Sequence, residues 1–237
     1  MAVCSRSAQR IDSAAARLVD EIDVPDARVM AVTCDVTDGA QVASAIDDTV
    51  RKFGGLNILV TNAGGPPSGQ VDEFRPEDFR EAVELNMISA ISLVQAARPH
   101  LERAAREDNH ARIIMVTSLS AKQPIPSLVL SNTARAGLQG YAKTLAEEVG
   151  PFGITVNTVL PGYTETERLN ELAEAIEAKT GQSVAEIREG WAEQNALKRL
   201  GSPDEFGAAV AFLASKHAAY ITGVALPIDG GRSKHLL

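Results

Sequence analysis

The sequence predicts an α/β fold in which a parallel β-sheet is covered by helices on both faces. Short apolar strands alternate along the chain with segments that show the helical period of apolar residues. The strands are apolar along nearly their whole length, which is typical of parallel sheets buried on both faces. The length of 237 residues suits one large domain. We therefore predict a three-layer α/β/α architecture and a single domain over residues 1–237.

The first part of the chain contains three predicted strands and two predicted helices. MAVCSR is a short apolar strand, and residues 7–20 form a helix with apolar residues on one face. Residues 28–34 form the second strand, and Asp38 is placed to cap a helix over 38–53. LNILVTNAGG, residues 56–65, is an apolar strand that ends in a Gly-rich turn.

The rest of the chain continues the alternation of strands and helices. Helical periodicity runs from residue 76 to about residue 105, and we expect Pro99 to interrupt it. The polar helical segment 164–195 has no strand of its own, so we predict an insertion at about 164–196 that covers the sheet as a substrate lid. The other predicted elements are strands at 111–118, 153–159 and 223–231, and helices at 127–149 and 203–215, with Ser202 as the N-cap of the last.

The charge and hydropathy of the chain exclude several classes of partner. A net charge of -8 argues against binding to nucleic acid or to an anionic membrane, because both would be repelled. No run approaches the roughly 18 apolar residues that a membrane helix needs, and the N-terminus lacks the pattern of a signal peptide. We therefore expect a cytoplasmic protein that acts on a small molecule.

Small and hydrogen-bonding residues follow the predicted strands. In open parallel sheets, ligands bind beyond the carboxyl ends of the strands. Gly64 and Gly65 could take positive φ and let a ligand approach the backbone, although a simple tight turn is an equally good interpretation. The residues at these strand ends are Ser5, Arg6, Asp35, Val36, Asn62, Ala63, Gly64, Gly65, Thr117, Ser118, Pro161 and Gly162.

Together these features resemble the short-chain dehydrogenase/reductase family, especially its 3-oxoacyl-acyl-carrier-protein reductase-like branch. The resemblance covers nearly the whole chain and implies a Rossmann-like doubly wound sheet. It rests on NAG at 62–64, ELNMIS around Asn86, and the closing segment RLGSPDEFGAAVAFLASKHAAYITGVALPIDGG. The cofactor-binding residues that it implies are Asp35 and Val36 near the adenine, Asn62, Ala63 and Gly64 in the turn, and Pro161, Gly162 and Thr166 near the nicotinamide.

The resemblance also bears on the choice of cofactor. After the first strand of this chain the family places an acidic residue to bind the ribose hydroxyls of NAD, or a basic residue to pair with the 2′-phosphate of NADP. Ser5 stands at the acidic position and Arg6 follows it. We therefore expect NADP(H) rather than NAD(H), unless Arg6 is a solvated surface residue. No metal site is predicted.

The expected catalytic residues keep the family's spacing but change its chemistry. Ser118 precedes Ser131 by thirteen residues and Arg135 by seventeen, where the family has Ser, Tyr and Lys. A serine hydroxyl is a far weaker acid than a phenol, and an arginine with a pKa above about 12 does not relay protons. We expect Ser118 and Asn86 to polarise a carbonyl, Arg135 to hold the cofactor, and Ser131 at most to donate a hydrogen bond. Tyr163 and Lys122 are alternative proton donors.

The family's opening strand, its Gly-rich phosphate loop and its first helix have no counterpart in the sequence. The missing strand would be central to the sheet, and its absence would leave strand edges open. One hypothesis is that translation begins about 25 to 30 residues upstream, which is most of a βαβ unit. The alternative is a genuine truncation, which would give a poorly folded or non-catalytic product.

Two functions are compatible with these features. The first is an oxidoreductase that transfers a hydride between NADP(H) and a carbonyl or alcohol, with a 3-oxoacyl thioester as one candidate substrate. The second is a non-catalytic or weakly active dinucleotide-binding homologue with a scaffold or regulatory role. Under either, the helices at 76–105 and 127–149 carry apolar residues on more than one face, and the resemblance implies a homodimer or homotetramer.

Overall fold

A computed structural model describes residues 1–22, 25 and 28–234, and it confirms the predicted parallel sheet flanked by helices. Each described strand lies parallel to its neighbours. Every predicted strand is present, although most are shorter than the apolar run that predicted them. The strands are β1 (Ala2–Ser5), β2 (Met30–Thr33), β3 (Ile58–Thr61), β4 (Ala111–Val116), β5 (Ile154–Pro161) and β6 (Ala225–Ile228).

Eight α-helices are described around these strands. Asp38 caps the second helix by accepting hydrogen bonds from two backbone N–H groups, and Ser202 caps the last through a capping box, as predicted. Within the described ranges, none of these helices is long and apolar enough to cross a membrane. The helices are α1 (Ala8–Ile22), α2 (Gly39–Phe53), α3 (Pro76–Val83), α4 (Ser89–Asp108), α5 (Val129–Val149), α6 (Glu167–Thr180), α7 (Val184–Glu193) and α8 (Pro203–Ala214).

The predicted interruption at Pro99 is wrong. Helix α4 runs through Pro99, and the irregularity lies before it, in a π-helical turn at Glu84–Ile88. Proline removes the hydrogen bond to the carbonyl of the residue four positions earlier, here Gln95. Both Pro99 and Gln95 are exposed, so water can satisfy that carbonyl and the helix continues.

The strands form two separate sheets. One holds β1 and β2, and the other holds four strands in the order β3-β4-β5-β6. Helix α2, which follows the small sheet, packs against α4, and one core cluster joins Cys34 and Val42 to Leu59 and Ile113. The two sheets are therefore joined through helices and buried side chains rather than through a strand pair.

The core lies mainly around β4 and β5. Helices α2, α4 and α5 cover one face of the sheet through residues such as Leu101 and Leu138. Helix α8 covers the opposite face, where Leu213 packs with Ile114 and Val159. Helices α6 and α7 have a small core of their own around Trp191 and Ala173.

Candidate active site

The predicted cofactor residues of the first three strands come together at one cleft. This cleft has a volume of about 450 Å³ and lies at the carboxyl ends of β1, β2 and β3. It therefore spans the division between the two sheets. The predicted residues that line it are Ser5, Arg6, Asp35, Val36, Asn62, Ala63 and Gly64.

Asp35 is held in place by the turn that follows β2. Its carboxylate accepts hydrogen bonds from the backbone N–H of Thr37 at 3.0 Å and from the Thr37 hydroxyl at 2.7 Å. The backbone bond, followed by the hydroxyl bond, lowers the pKa of Asp35 below its ordinary value. Asp35 is therefore an ionised, oriented hydrogen-bond acceptor at the wall of the cleft.

Gly64 and Gly65 do not take the positive φ that the sequence allowed. Neither is among the glycines with positive φ, and a Cβ on either would meet nothing within 4 Å. Neighbouring protein atoms therefore do not require glycine at these two positions. The absence of a side chain there leaves the wall of the cleft open. A close approach is instead found at Gly162, where a Cβ would lie 2.6 Å from Cα of Asp229.

Arg135 lies buried behind the cleft and joins the ends of two strands. Its Nη1 donates to the Val116 carbonyl at 2.9 Å, and its Nη2 donates to the Ala63 carbonyl at 3.2 Å. Burial lowers its pKa to about 10, so the guanidinium stays charged at neutral pH. Its Nε has no hydrogen-bond partner. Arg135 therefore places a positive charge between the strand ends, and its Nε–H is unused.

Ser118 and Ser131 belong to a cluster of three serines. Ser118 follows β4, and its hydroxyl oxygen accepts a hydrogen bond from the N–H of Ser120 at 3.1 Å. The hydroxyls of Ser120 and Ser131 lie 3.2 Å apart, both buried. The sequence analysis missed Ser120, because its role depends on the short 3₁₀ turn at Leu119–Ala121 that turns it towards α5. The cluster thus links the two serines that the spacing singled out.

Asn86 sits in the π-helical turn and is only 1% exposed. Its Nδ2 donates to the Ala82 carbonyl at 3.0 Å, while its Oδ1 has no hydrogen-bond partner among the described residues. Asn86 and Arg135 line a narrow space together with Val36, Asn62 and Ala63. Because these last three residues also line the cleft, Asn86 and Arg135 adjoin the predicted cofactor residues, whereas Ser118 and Ser131 line neither space.

The residues predicted to lie near the nicotinamide follow β5. The Thr117 N–H donates to the Val159 carbonyl, so Ser118 and Pro161 end neighbouring strands. Gly162 pairs with the carboxyl end of β6 through the Ile228 carbonyl. Thr166 is exposed, and its hydroxyl caps α6 by accepting from Leu169 N–H at 3.3 Å. The Thr166 hydroxyl therefore already has a structural partner.

Tyr163, the alternative proton donor, is held by two neighbours. Its ring stacks on Trp191 with centroids 4.9 Å apart, and the Arg232 guanidinium lies 3.9 Å from its centroid. Arg232 also donates to the phenol oxygen at 3.1 Å. Lys122, the other alternative, is half-buried just after the 3₁₀ turn. Tyr163 is thus a phenol in contact with a cation, and it follows β5 rather than lying on α5.

The chemistry available at this site is hydrogen-bond donation and charge stabilisation. Serine hydroxyls and an arginine can stabilise negative charge that develops on a carbonyl oxygen. In the part of the chain that the structure describes, no group of three or more His, Cys, Asp or Glu residues is placed to hold a metal ion.

Known proteins resemble this chain over most of its length. A family model described as Enoyl-(Acyl carrier protein) reductase matches residues 1–233. Short-chain dehydrogenase/reductase SDRA of Arabidopsis thaliana is 32% identical over 236 residues, 99% of this chain and 85% of that protein. The 3-oxoacyl-[acyl-carrier-protein] reductase FabG of Escherichia coli (strain K12) is 36% identical over 196 residues, 83% of this chain and 74% of that protein.

A solved structure is also similar to this chain. It is the NADPH-bound short chain oxidoreductase from Pseudomonas aeruginosa PAO1, described as containing an atypical catalytic center. The two structures have a TM-score of 0.87 and 35% sequence identity, and the match covers 99% of this chain and 87% of that one.

Proposed function

Because this chain belongs to the short-chain dehydrogenase/reductase family of oxidoreductases, we propose that it transfers a hydride between NADP(H) and a carbonyl or alcohol substrate. The observation that carries the proposal is the adjacency of the cofactor cleft to Asn86 and Arg135 through Val36, Asn62 and Ala63. A 3-oxoacyl thioester is one candidate substrate, since FabG is a 3-oxoacyl-[acyl-carrier-protein] reductase.

The cleft fits a phosphorylated dinucleotide. Arg6 lines it and has no carboxylate within ion-pair distance among the described residues, so its charge is available to a 2′-phosphate. Asp35 can accept hydrogen bonds, and the Nε of Arg135 and the Oδ1 of Asn86 have no hydrogen-bond partner among the described residues. The NADPH bound by the Pseudomonas aeruginosa relative supports the same cofactor here. When bound, NADPH supplies the hydride.

The serines and Arg135 would act on the substrate oxygen. Ser118 uses its oxygen to accept from Ser120, which leaves its own O–H to donate to a carbonyl. Arg135 adds a fixed positive charge that favours an oxygen becoming negative. Ser131 is paired with Ser120, so a proton would reach the product through this hydroxyl pair from water rather than from a strong acid.

The proposal is tested with purified protein, NADPH, and a panel of ketones and acyl thioesters. We expect NADPH oxidation that falls about 100-fold in Ser118→Ala, as when one donor to a developing oxyanion is removed. Ser44→Ala, on the exposed face of α2, is the matched control and should keep full activity. Oxidation that is unchanged in Ser118→Ala would contradict the assigned role.

A second candidate is a dinucleotide-binding protein with little or no turnover. It is favoured because Ser131 is engaged by Ser120 and both Nη atoms of Arg135 bind backbone carbonyls. NADPH binding by fluorescence without oxidation of any substrate would support this candidate. A large gain in rate in the double variant Ser131→Tyr with Arg135→Lys would then identify the missing acid and its partner.

We also propose that a strand from outside these 237 residues completes the sheet between β1 and β3. Each of these strands has one partner, and the cleft lies at the carboxyl ends of both. On β3, Ile58 and Val60 are 38% and 44% exposed while Leu59 and Thr61 are buried, so one apolar face of the strand is uncovered by described residues. A strand and helix preceding Met1 in the same polypeptide would cover this face and edge.

The strand proposal is tested by comparing this chain with a longer one that includes the upstream in-frame codons. We expect the longer chain to bind NADPH at least about 100-fold more tightly, because a Gly-rich loop would add phosphate contacts. A stop codon directly before Met1, or equal affinity of the two chains, would overturn the proposal.

We further propose that the protein is a homodimer or homotetramer formed through α4 and α5. Both helices pack on the sheet yet keep partly exposed apolar residues, among them Tyr141 and Ala96. Light scattering at micromolar concentration should give a multiple of the 25.1 kDa chain mass. A monomer at that concentration would contradict the proposal.

A further inference from the structure

A second pocket opens beside Ser118. It has a volume of about 270 Å³, just below the roughly 300–1,000 Å³ range of ligand sites. Leu119, which directly follows Ser118, forms part of its wall. The other walls are the loop after β4, which includes Ile125, the end of α7 at Gln194, and the C-terminal segment with Arg232 and Lys234.

The two cations of this pocket are not neutralised by acidic side chains. No Asp or Glu lines the pocket, and none of the carboxylates that the structure describes lies within 4.0 Å of Arg232 or Lys234. Asp229, the nearest acidic residue in sequence, is occupied by Ser233 and by backbone N–H groups. This is a local excess of positive charge in a chain whose net charge is -8.

The cations are also held in position. Arg232 is clamped over the Tyr163 ring and donates to its phenol oxygen. The backbone N–H of Lys234 donates to Gln123 Oε1 at 3.4 Å, which ties the C-terminal segment to the loop after β4. The Lys234 ammonium donates to the Gly231 carbonyl at 3.4 Å. A guanidinium and an ammonium held side by side are suited to a carboxylate or phosphate group.

We propose that this pocket selects substrates with an anionic group, a carboxylate or a phosphate, and binds that group with Arg232 and Lys234. The inference rests on the proposed hydride transfer, since the anion would be anchored while the carbonyl faces Ser118. The apolar wall formed by Pro124, Ile125 and Pro126 suits a short carbon chain between the two groups.

Binding is measured without turnover through Trp191, the single tryptophan, which stacks on Tyr163 and so reports on the contacts of Arg232. The probes are two matched pairs, acetoacetate with acetoacetamide and dihydroxyacetone phosphate with dihydroxyacetone. We expect at least one anion to bind about 10- to 100-fold more tightly than its neutral partner, as for hydrogen bonds to charged groups. The pair that shows the preference identifies carboxylate or phosphate as the ligand group.

Variants that remove a positive charge test whether the preference for anionic probes arises from this pocket. Lys234→Gln should reduce it, and Arg232→Gln with Lys234→Gln should abolish it. Arg106→Gln removes an exposed positive charge near the end of α4 and should leave the preference intact. Equal binding of charged and neutral probes, or a preference that survives the double variant, would overturn the proposal.

Turnover with the same probes separates this proposal from the proposed function. A preference for anions in binding without any NADPH oxidation would support the pocket and count against hydride transfer. Oxidation of NADPH by neutral and anionic ketones with equal KM would support hydride transfer and overturn the anion site.

Discussion

The two sheets of the molecule differ in how completely they are buried. Every residue of β5 from Ile154 to Leu160 is buried, and so is β4 from Ala111 to Met115, whereas no residue of β1 or β2 is. The buried sheet carries Ser118 and contacts Ser131 and Arg135 on α5. The exposed sheet carries Ser5, Arg6 and Asp35. The candidate catalytic groups thus lie next to the most buried strands, β4 and β5, while part of the cofactor cleft is formed by two strands that have no buried residue.

The largest effect is expected from breaking the buried sheet. Ile113→Ala should reduce the free energy of unfolding by about 3 kcal/mol, because Ile113 on β4 is 1% exposed and its loss leaves a cavity. The matched change Val32→Ala on half-buried β2 should cost about 1 kcal/mol. Urea unfolding measures both, and equal losses would show that the two sheets are equally supported.

The next largest effect is expected from replacing either of two buried arginines, which lie at opposite ends of the sheet. Arg112 donates to the carbonyls of Ala111 and Ser215 at the amino end, and Arg135 donates to those of Val116 and Ala63 at the carboxyl end. Arg135→Met and Arg112→Met should each cost about 2 kcal/mol of stability, because buried carbonyls lose their donors.

Only the change at the carboxyl end should affect the cofactor. Arg135→Met should weaken NADPH binding measured by fluorescence at least about 10-fold, since it removes a charge beside the cleft. Arg112→Met is the control, and an equal loss of affinity there would mean that Arg135 acts through stability alone.

The smallest expected effect is the loss of stability at low pH that follows from the protonation of Glu205. The Arg199 side chain, together with the Ser202 N–H, lowers the pKa of Glu205 on α8 to about 2, from its ordinary value of 4.5. Since the folded-state value is the lower one, this contribution to stability is present above about pH 4.5 and is lost as the pH falls towards 2. Arg199→Gln should lower the urea midpoint at pH 7, and the difference from the parent protein should shrink between pH 5 and pH 3. A difference that is independent of pH would contradict this assignment.

Local patterns in the sequence were sufficient for the elements and their caps. Asp38 and Ser202 were predicted because a cap depends on residues within one helical turn. The π-helical turn was not predicted, because the apolar periodicity over residues 76–105 does not distinguish a single π-helical turn from an α-helical one. The division of the sheet follows from strand pairing, which no local pattern reports.

The sequence predicted which residues to expect at the candidate site, but it did not predict their contacts. Spacing singled out Ser118, Ser131 and Arg135, yet the role of Ser120 depends on a loop that brings it to Ser131 from eleven positions away. The bonds of Arg135 to Val116 and Ala63 join residues distant in sequence. Arg232 and Lys234 were missed because only the folded C-terminal segment places them beside Leu119.

The most direct test of the proposed function is to detect the transferred hydride in the product. Purified protein is incubated with NADPH that carries deuterium at both C4 positions and a ketone from the panel, and the alcohol product is analysed by mass spectrometry. We predict that the alcohol carries deuterium at the former carbonyl carbon, and that its yield falls in Ser118→Ala but not in Ser44→Ala. Bound NADPH with no deuterated alcohol from any ketone would contradict the proposed function.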